Sequence, residues 1–87
     1  MRIPLHSTLK TDNMTALLID DDPEARGVLR QLLERFCPHV QICDEADSVT
    51  TGLSAIQQHR PNVVFLDVYL QGQSSFAILD AYPRPDF

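Results

Sequence analysis

Asp20, Asp21 and Asp22 stand in a row directly after the apolar run Ala16-Leu17-Leu18-Ile19, and Asp67 directly follows a second run, Val63-Val64-Phe65-Leu66. An apolar run that stops in charge reads as a buried strand whose carboxyl end emerges from a sheet. If the two ends meet, their carboxylates repel one another, and an oxygen-seeking divalent cation relieves that repulsion. Mg²⁺ is the natural occupant, since it takes about six oxygens at ~2.0 to 2.1 Å and keeps several of them as water. A carboxylate beside such a cation can also attack phosphorus, because the metal neutralises charge on the incoming phosphoryl group. Cation binding and an acyl phosphate on an aspartate are therefore the chemistry open to this chain. The structural alternative for the same acids is a helix cap with solvated loop carboxylates.

The elements that must position these residues can be read in order. Met1 to Thr15 has no periodicity and reads as a disordered N-terminal extension, with the folded part at 16–87; Met14 is a candidate natural start. The first strand, from Ala16, runs into Asp22 as N-cap and Pro23 in the first turn of a helix. In that helix Ala25, Val28, Leu29, Leu32, Leu33 and Phe36 form the apolar face, opposite Arg26, Arg30, Glu34 and Arg35, and Cys37-Pro38 ends it. Val40 to Asp44 alternates and reads as a half-covered edge strand. Asp47 or Ser48 caps a second helix with Val49, Leu53 and Ile56 inward, stopping before Arg60-Pro61. Asn62 to Asp67 is the third strand and Tyr69 to Gln73 a loop around Gly72. A short helix capped by Ser74 or Ser75 then carries Phe76, Leu79 and Tyr82 inward before Pro83 and Pro85.

The order is βαβαβα. Strand starts at 16, 40 and 62 lie 24 and 22 residues apart, which suits βα units feeding a parallel sheet through right-handed crossovers. With the first strand central and the half-exposed second strand at an edge, the strand order is 2-1-3. The first and third strands are then neighbours across a topological switch point, where a crevice opens at their carboxyl ends. Asp20, Asp21 and Asp67 converge there.

Composition narrows the classes. Eighty-seven residues leave room for one small core. A net charge of -5 and a pI near 4.8 argue against direct nucleic-acid binding by this segment. No apolar stretch approaches the roughly 20 residues of a membrane span, and no signal-like leader opens the chain, so a cytoplasmic protein is the expectation. Cys37 and Cys43 lack Cys-x-x-Cys spacing and read as reduced, packed thiols. His39 in a loop and His59 near a helix C-terminus read as structural, the latter suited to the helix dipole.

From Ala16 to about Tyr82 the sequence resembles the receiver domain of two-component response regulators. The residues that carry the resemblance are Asp20-Asp21 with Asp22-Pro23, and Asp67 in Phe65-Leu66-Asp67. The family implies a partial flavodoxin-like α/β fold, Mg²⁺ as cofactor, a histidine kinase as partner and Asp67 as the phosphoacceptor. It further implies Asp21 as a direct Mg²⁺ ligand, Asp20 acting mainly through water, and the backbone carbonyl of Tyr69 as another ligand. Pro23-Glu24-Ala25-Arg26 and Glu45-Ala46 look most like receivers attached to LytTR-type DNA-binding domains.

The sequence departs from that pattern in three ways. Gln71-Gly72 stands where the family has Pro-Gly, and Ser75 stands where it has glycine. The last two strands, with their Ser or Thr and their Lys, cannot be assigned: Lys10 is the only lysine and no Thr follows Asp67. A three-stranded receiver leaves the third strand's edge open, so a homodimer or domain swap through that edge is expected. Without the Lys that neutralises phosphoryl oxygens in the family, phosphotransfer is expected to be slow. Two rival readings share these residues. A haloacid-dehalogenase-like phosphohydrolase would use Asp20 as nucleophile and Asp22 as general acid/base. A non-phosphorylated dimerisation or interaction segment would use neither.

Overall fold

β1 (Met14–Ile19), β2 (Val40–Ala46) and β3 (Val63–Leu66) form a parallel sheet in the order β2-β1-β3, which is the 2-1-3 layout expected of successive βα units. The structure, a computed structural model, describes residues 14–81. The expectations on Met1 to Asn13, Lys10 included, and on Tyr82, Pro83 and Pro85 lie outside those residues. The boundary at residue 15 needs correction, because Met14 and Thr15 already belong to β1, paired with Val40 and Gln41. Their place is secured by Asn62: its Oδ1 accepts from the Thr15 N–H at 2.8 Å, and its N–H donates to the Thr15 carbonyl at 2.9 Å. That exchange closes the amino-terminal ends of β1 and β3 as a ladder rung would.

α1 (Pro23–Phe36) starts as its sequence dictates, with Asp22 Oδ1 accepting from the Glu24 N–H at 2.9 Å and Pro23 in the first turn. α2 (Val49–His59) is capped by Ser48, which exchanges hydrogen bonds with Thr51 in a capping box. It ends at Arg60, whose φ of 46° is left-handed, because the buried Pro61 that follows blocks a further helical turn. β3 is followed by a hairpin rather than the expected loop: β4 (Tyr69–Leu70) pairs antiparallel with β5 (Gln73–Ser74) around Gln71-Gly72. α3 (Phe76–Ala81) closes the described chain, with the Phe76 N–H donating to Ser74 Oγ at 3.3 Å.

β2 extends to Ala46, two residues past the alternating segment, because it contains a bulge. Its partners shift between Ala16, opposite Ile42, and Leu17, opposite Asp44, leaving Cys43 as the extra residue. The Cys43 thiol donates to the Ala16 carbonyl at 3.3 Å, occupying the acceptor beside the shift. After the bulge, side chains point as β1 requires. Ala46, opposite Ile19, enters the core, while Glu45, opposite Leu18, faces α1.

The two faces of the sheet are covered unequally. On one, Leu17, Ile19 and Ala46 pack with Val49, Ala55 and Ile56 of α2, Leu70 of the hairpin and Ile78 of α3. α2 lies so close that a Cβ on Gly52 would meet Ile19 Cδ1 at 2.9 Å. On the α1 face the expectation of a fully inward Leu and Phe stripe is corrected. Leu33 is buried, but Val28, Leu32 and Phe36 are 58%, 48% and 66% exposed. Arg26 and Arg30 fix the roll of α1 by reaching Glu45 on β2. At 3.6 residues per turn, Val28 and Leu32 then lie on the side of the helix turned away from β2. α3 differs likewise: Ile78 enters the core, whereas Phe76 and Leu79 stay exposed.

Candidate functional site

Parallel register brings the two acidic strand ends together. Ile19 lies opposite Leu66, and the ladders continue one residue further: the Asp67 N–H donates to the Ile19 carbonyl at 2.9 Å, and the Asp20 N–H to the Ala46 carbonyl at 3.0 Å. Asp20 and Asp67 are thus backbone-fixed side by side at the carboxyl ends of β1 and β3, and both are half-buried. Asp20, Asp21 and Asp67 each offer a carboxylate oxygen within 4.8 Å of the others. Asp22 is not in this cluster; its carboxylate caps α1.

Backbone N–H groups orient two of the three acids. Asp20 Oδ1 accepts from the Asp22 N–H at 2.9 Å, and Asp21 Oδ2 from the Gln71 N–H at 2.8 Å. Among the described residues the Asp67 carboxylate has no hydrogen-bond donor, so it is the member of the cluster with its lone pairs free. Tyr69, two residues beyond Asp67, opens β4 with a side chain 66% exposed.

Behind the acids lies a charged brace that the sequence did not reveal. Arg26 Nη1 donates to the Asp20 carbonyl at 2.7 Å while its Nε donates to Glu45 Oε1 at 3.1 Å; Arg30 Nη1 takes Glu45 Oε2 at 2.6 Å. The Glu45 carboxylate beside Arg30 raises that guanidinium's pKa further above its ordinary value. Arg26 thereby ties the backbone of the acidic loop to β2. His59, expected to serve the helix dipole, sits 3.0 Å from Asp44 Oδ2 through Nε2. Cys37 and Cys43 are both free, and burial pushes the Cys43 thiol up. A groove along the outer edge of β2, lined by Arg30, Glu34, Gln41 and Asp44 among others, shares no residue with the acidic cluster.

Residues 16–82 match the response regulator receiver domain family. The chain belongs to that family. Sensory transduction protein LytT of Bacillus cereus is 42% identical to this receiver over 65 residues, covering 75% of the chain and 26% of LytT. Transcriptional regulatory protein BtsR of Escherichia coli is 33% identical over 72 residues, covering 79% of the chain and 30% of BtsR. The chain thus spans less than a third of the length of these curated relatives. Among solved structures, the signal receiver domain of the response regulator NarL from Mycobacterium tuberculosis superposes with a TM-score of 0.72. It is 26% identical, and the match covers 85% of this receiver and 61% of that chain. RcsB from Salmonella enterica, determined on promoter DNA with the phosphomimetic BeF3-, is similar in fold, with a TM-score of 0.75 at 20% identity, covering 86% and 38%.

As a receiver, this chain gathers its three expected acids at the switch point of its sheet. The donor set is all oxygen and all anionic, which fits a small hard cation and no soft one. The sequence missed Arg26, Glu45 and the Gln71 amide as parts of the site. Only Arg26, four residues past Asp22 on the polar face of α1, left a legible signal. No helix is long and apolar enough to cross a membrane among the described residues.

Proposed function

We propose that this receiver is the phosphoacceptor segment of a two-component response regulator, taking a phosphoryl group on Asp67 from a histidine kinase with Mg²⁺ bound at Asp20, Asp21, Asp67 and the Tyr69 carbonyl. The observation that carries the reading is the convergence of three carboxylates within 4.8 Å, only one of which, Asp67, lacks a hydrogen-bond donor among the described residues. An Asp67 oxygen forms the new O–P bond as the N–P bond of a phosphohistidine breaks, and the imidazole leaves with its electron pair. Mg²⁺ supplies charge neutralisation on the phosphoryl oxygens. Asp20 and Asp21 hold the cation beside the acceptor, and Arg26 keeps the Asp20 backbone from moving away from it.

The likeness to LytT supports a place in front of a LytTR-type DNA-binding output domain in a cytoplasmic regulator. The hydrolase reading loses its general acid/base, because Asp22 is spent on capping α1 and lies outside the cluster. The exposed Val28, Leu32 and Phe36, with the outer edge of β3 unpaired among the described residues, favour self-association of this segment, by pairing or by swapping an element. Intact-mass spectrometry after incubation with acetyl phosphate and Mg²⁺ tests the acceptor. One phosphoryl adduct on the unmodified chain and none on Asp67→Asn is the expected result. A folded chain that stays unmodified would leave the family standing and favour a segment that acts by association alone. Sedimentation velocity reports the oligomer in the same samples.

A further inference from the structure

Gln71 holds the first central position of the turn between β4 and β5 with φ of 53°, and Gly72 the second with 78°. Positive φ at both is the type I′ hairpin, whose twist suits a two-residue connection. The Gln71 N–H points out of the hairpin, crossing 50 residues of sequence to reach Asp21 Oδ2 at 2.8 Å. With two residues in each strand, the hairpin has little internal stability. Its anchors are the buried Leu70, the Ser75 N–H donating to the Val68 carbonyl at 2.8 Å, and this bond to Asp21. A carboxylate has about four lone-pair sites, so one N–H leaves Asp21 free to bind a cation. A proline at this position would have no N–H to give.

We propose that the Gln71 amide is a positioning group for the cation site: holding Asp21 through Oδ2, it turns that carboxylate toward Asp20 and Asp67, so that cation binding and closure of the 69–74 hairpin reinforce each other. This rests on the reading of Asp20, Asp21 and Asp67 as a Mg²⁺ site. Partners that orient a ligand without touching the metal change affinity by about 10- to 100-fold. One N–H on an exposed carboxylate belongs at the lower end, roughly 10-fold. Linkage makes the effect reciprocal: the factor by which a closed hairpin tightens Mg²⁺ binding is the factor by which saturating Mg²⁺ suppresses hairpin opening.

The test combines Mg²⁺ titration calorimetry with amide hydrogen exchange read by NMR on the full chain. Exchange at Gln71 should slow roughly 10-fold at Mg²⁺ saturation. Gln71→Gly, which keeps the N–H and the positive φ, should bind Mg²⁺ as the unmodified chain does, whereas Gln71→Pro should bind roughly 10-fold more weakly. Unchanged Gln71 exchange at Mg²⁺ saturation overturns the coupling, and so does equal affinity of the two variants. The exchange measurement needs no variant, so misfolding of Gln71→Pro does not shelter the proposal. An unmodified chain that binds no Mg²⁺ would instead sink the site reading, and the coupling with it.

Discussion

Replacing Asp67 by Asn should stabilise this protein without metal and weaken it, relative to the unmodified chain, with metal. The three carboxylates each present an oxygen within 4.8 Å of the others. Two unit charges at that separation repel by about 0.9 kcal/mol in water and by about 3.5 kcal/mol at an effective dielectric of 20. The site opens to solvent, so the lower figure governs, and Asp67→Asn removes two of the three repulsions. Screening at physiological salt reduces the gain to on the order of 1 kcal/mol. No hydrogen bond offsets it, since the Asp67 carboxylate has no donor among the described residues. For a chain this small, 1 kcal/mol raises Tm by roughly 4–8 °C. Mg²⁺ reverses the order: at a hundredfold excess over Kd it adds about 2.7 kcal/mol to the unmodified chain. The Asn variant, short of one anionic ligand, gains less. Urea titrations followed by far-UV circular dichroism, in EDTA and in Mg²⁺, read both effects. Equal stability of the two proteins in EDTA, together with equal gains in Mg²⁺, would refute the repulsion argument and with it the acidic site as a cation trap.

The remaining predictions concern the frame around the site. Glu45→Gln should cost about 1 kcal/mol through the lost charge on its Arg26 bond, and the gap should shrink in high salt; urea midpoints at low and high NaCl check it. Arg60→Gly should stabilise by about 0.5–1 kcal/mol, because a φ of 46° costs an L side chain and costs glycine nothing; thermal melts read the rise in Tm. Burial raises the Cys43 thiol above its ordinary value of 9.0. The folded chain therefore keeps a proton that the unfolded chain has lost. The associated stability is complete below the ordinary value and falls as pH climbs through the raised one. Urea midpoints across the alkaline range should decline, and Cys43→Ser should flatten that decline.

Much of this was legible because apolar runs, prolines and caps are local signals. Val63-Val64-Phe65-Leu66 reads as a short strand, although its four residues are only half-buried rather than buried, and Asp22-Pro23 can hardly be anything but a helix start. The meeting of Asp20 with Asp67 followed from right-handed crossovers, which leave few ways to arrange three βα units. The bulge at Cys43 escaped because Cys43-Asp44-Glu45 looks like a strand losing its alternation, when in fact the chain resets its register there. The hairpin escaped because two-residue strands have no period to detect, and Gln-Gly is a weaker turn signal than Asn-Gly. The α1 stripe was legible as a pattern. Its exposure was not, because burial depends on what lies opposite, and that is decided by the Arg26 and Arg30 contacts with Glu45. The Gln71 bond to Asp21 is a backbone contact across 50 residues, and no side-chain identity announces it.

β1 carries a ladder on each side, and its two neighbours never touch each other. In kinetic terms the sheet has a single assembly hub. β2 must close on β1 over a shorter span of chain than β3 must, so the β1–β2 pair carries the smaller loop entropy and is expected to form first. A destabilising change in the middle of β1, such as Leu17→Ala, should then slow folding, whereas one in β3, such as Val64→Ala, should chiefly speed unfolding. Because Asp67 follows β3, the strand expected to join β1 after β2 does, the acidic site is expected to form after the β1–β2 pair and to be lost before it.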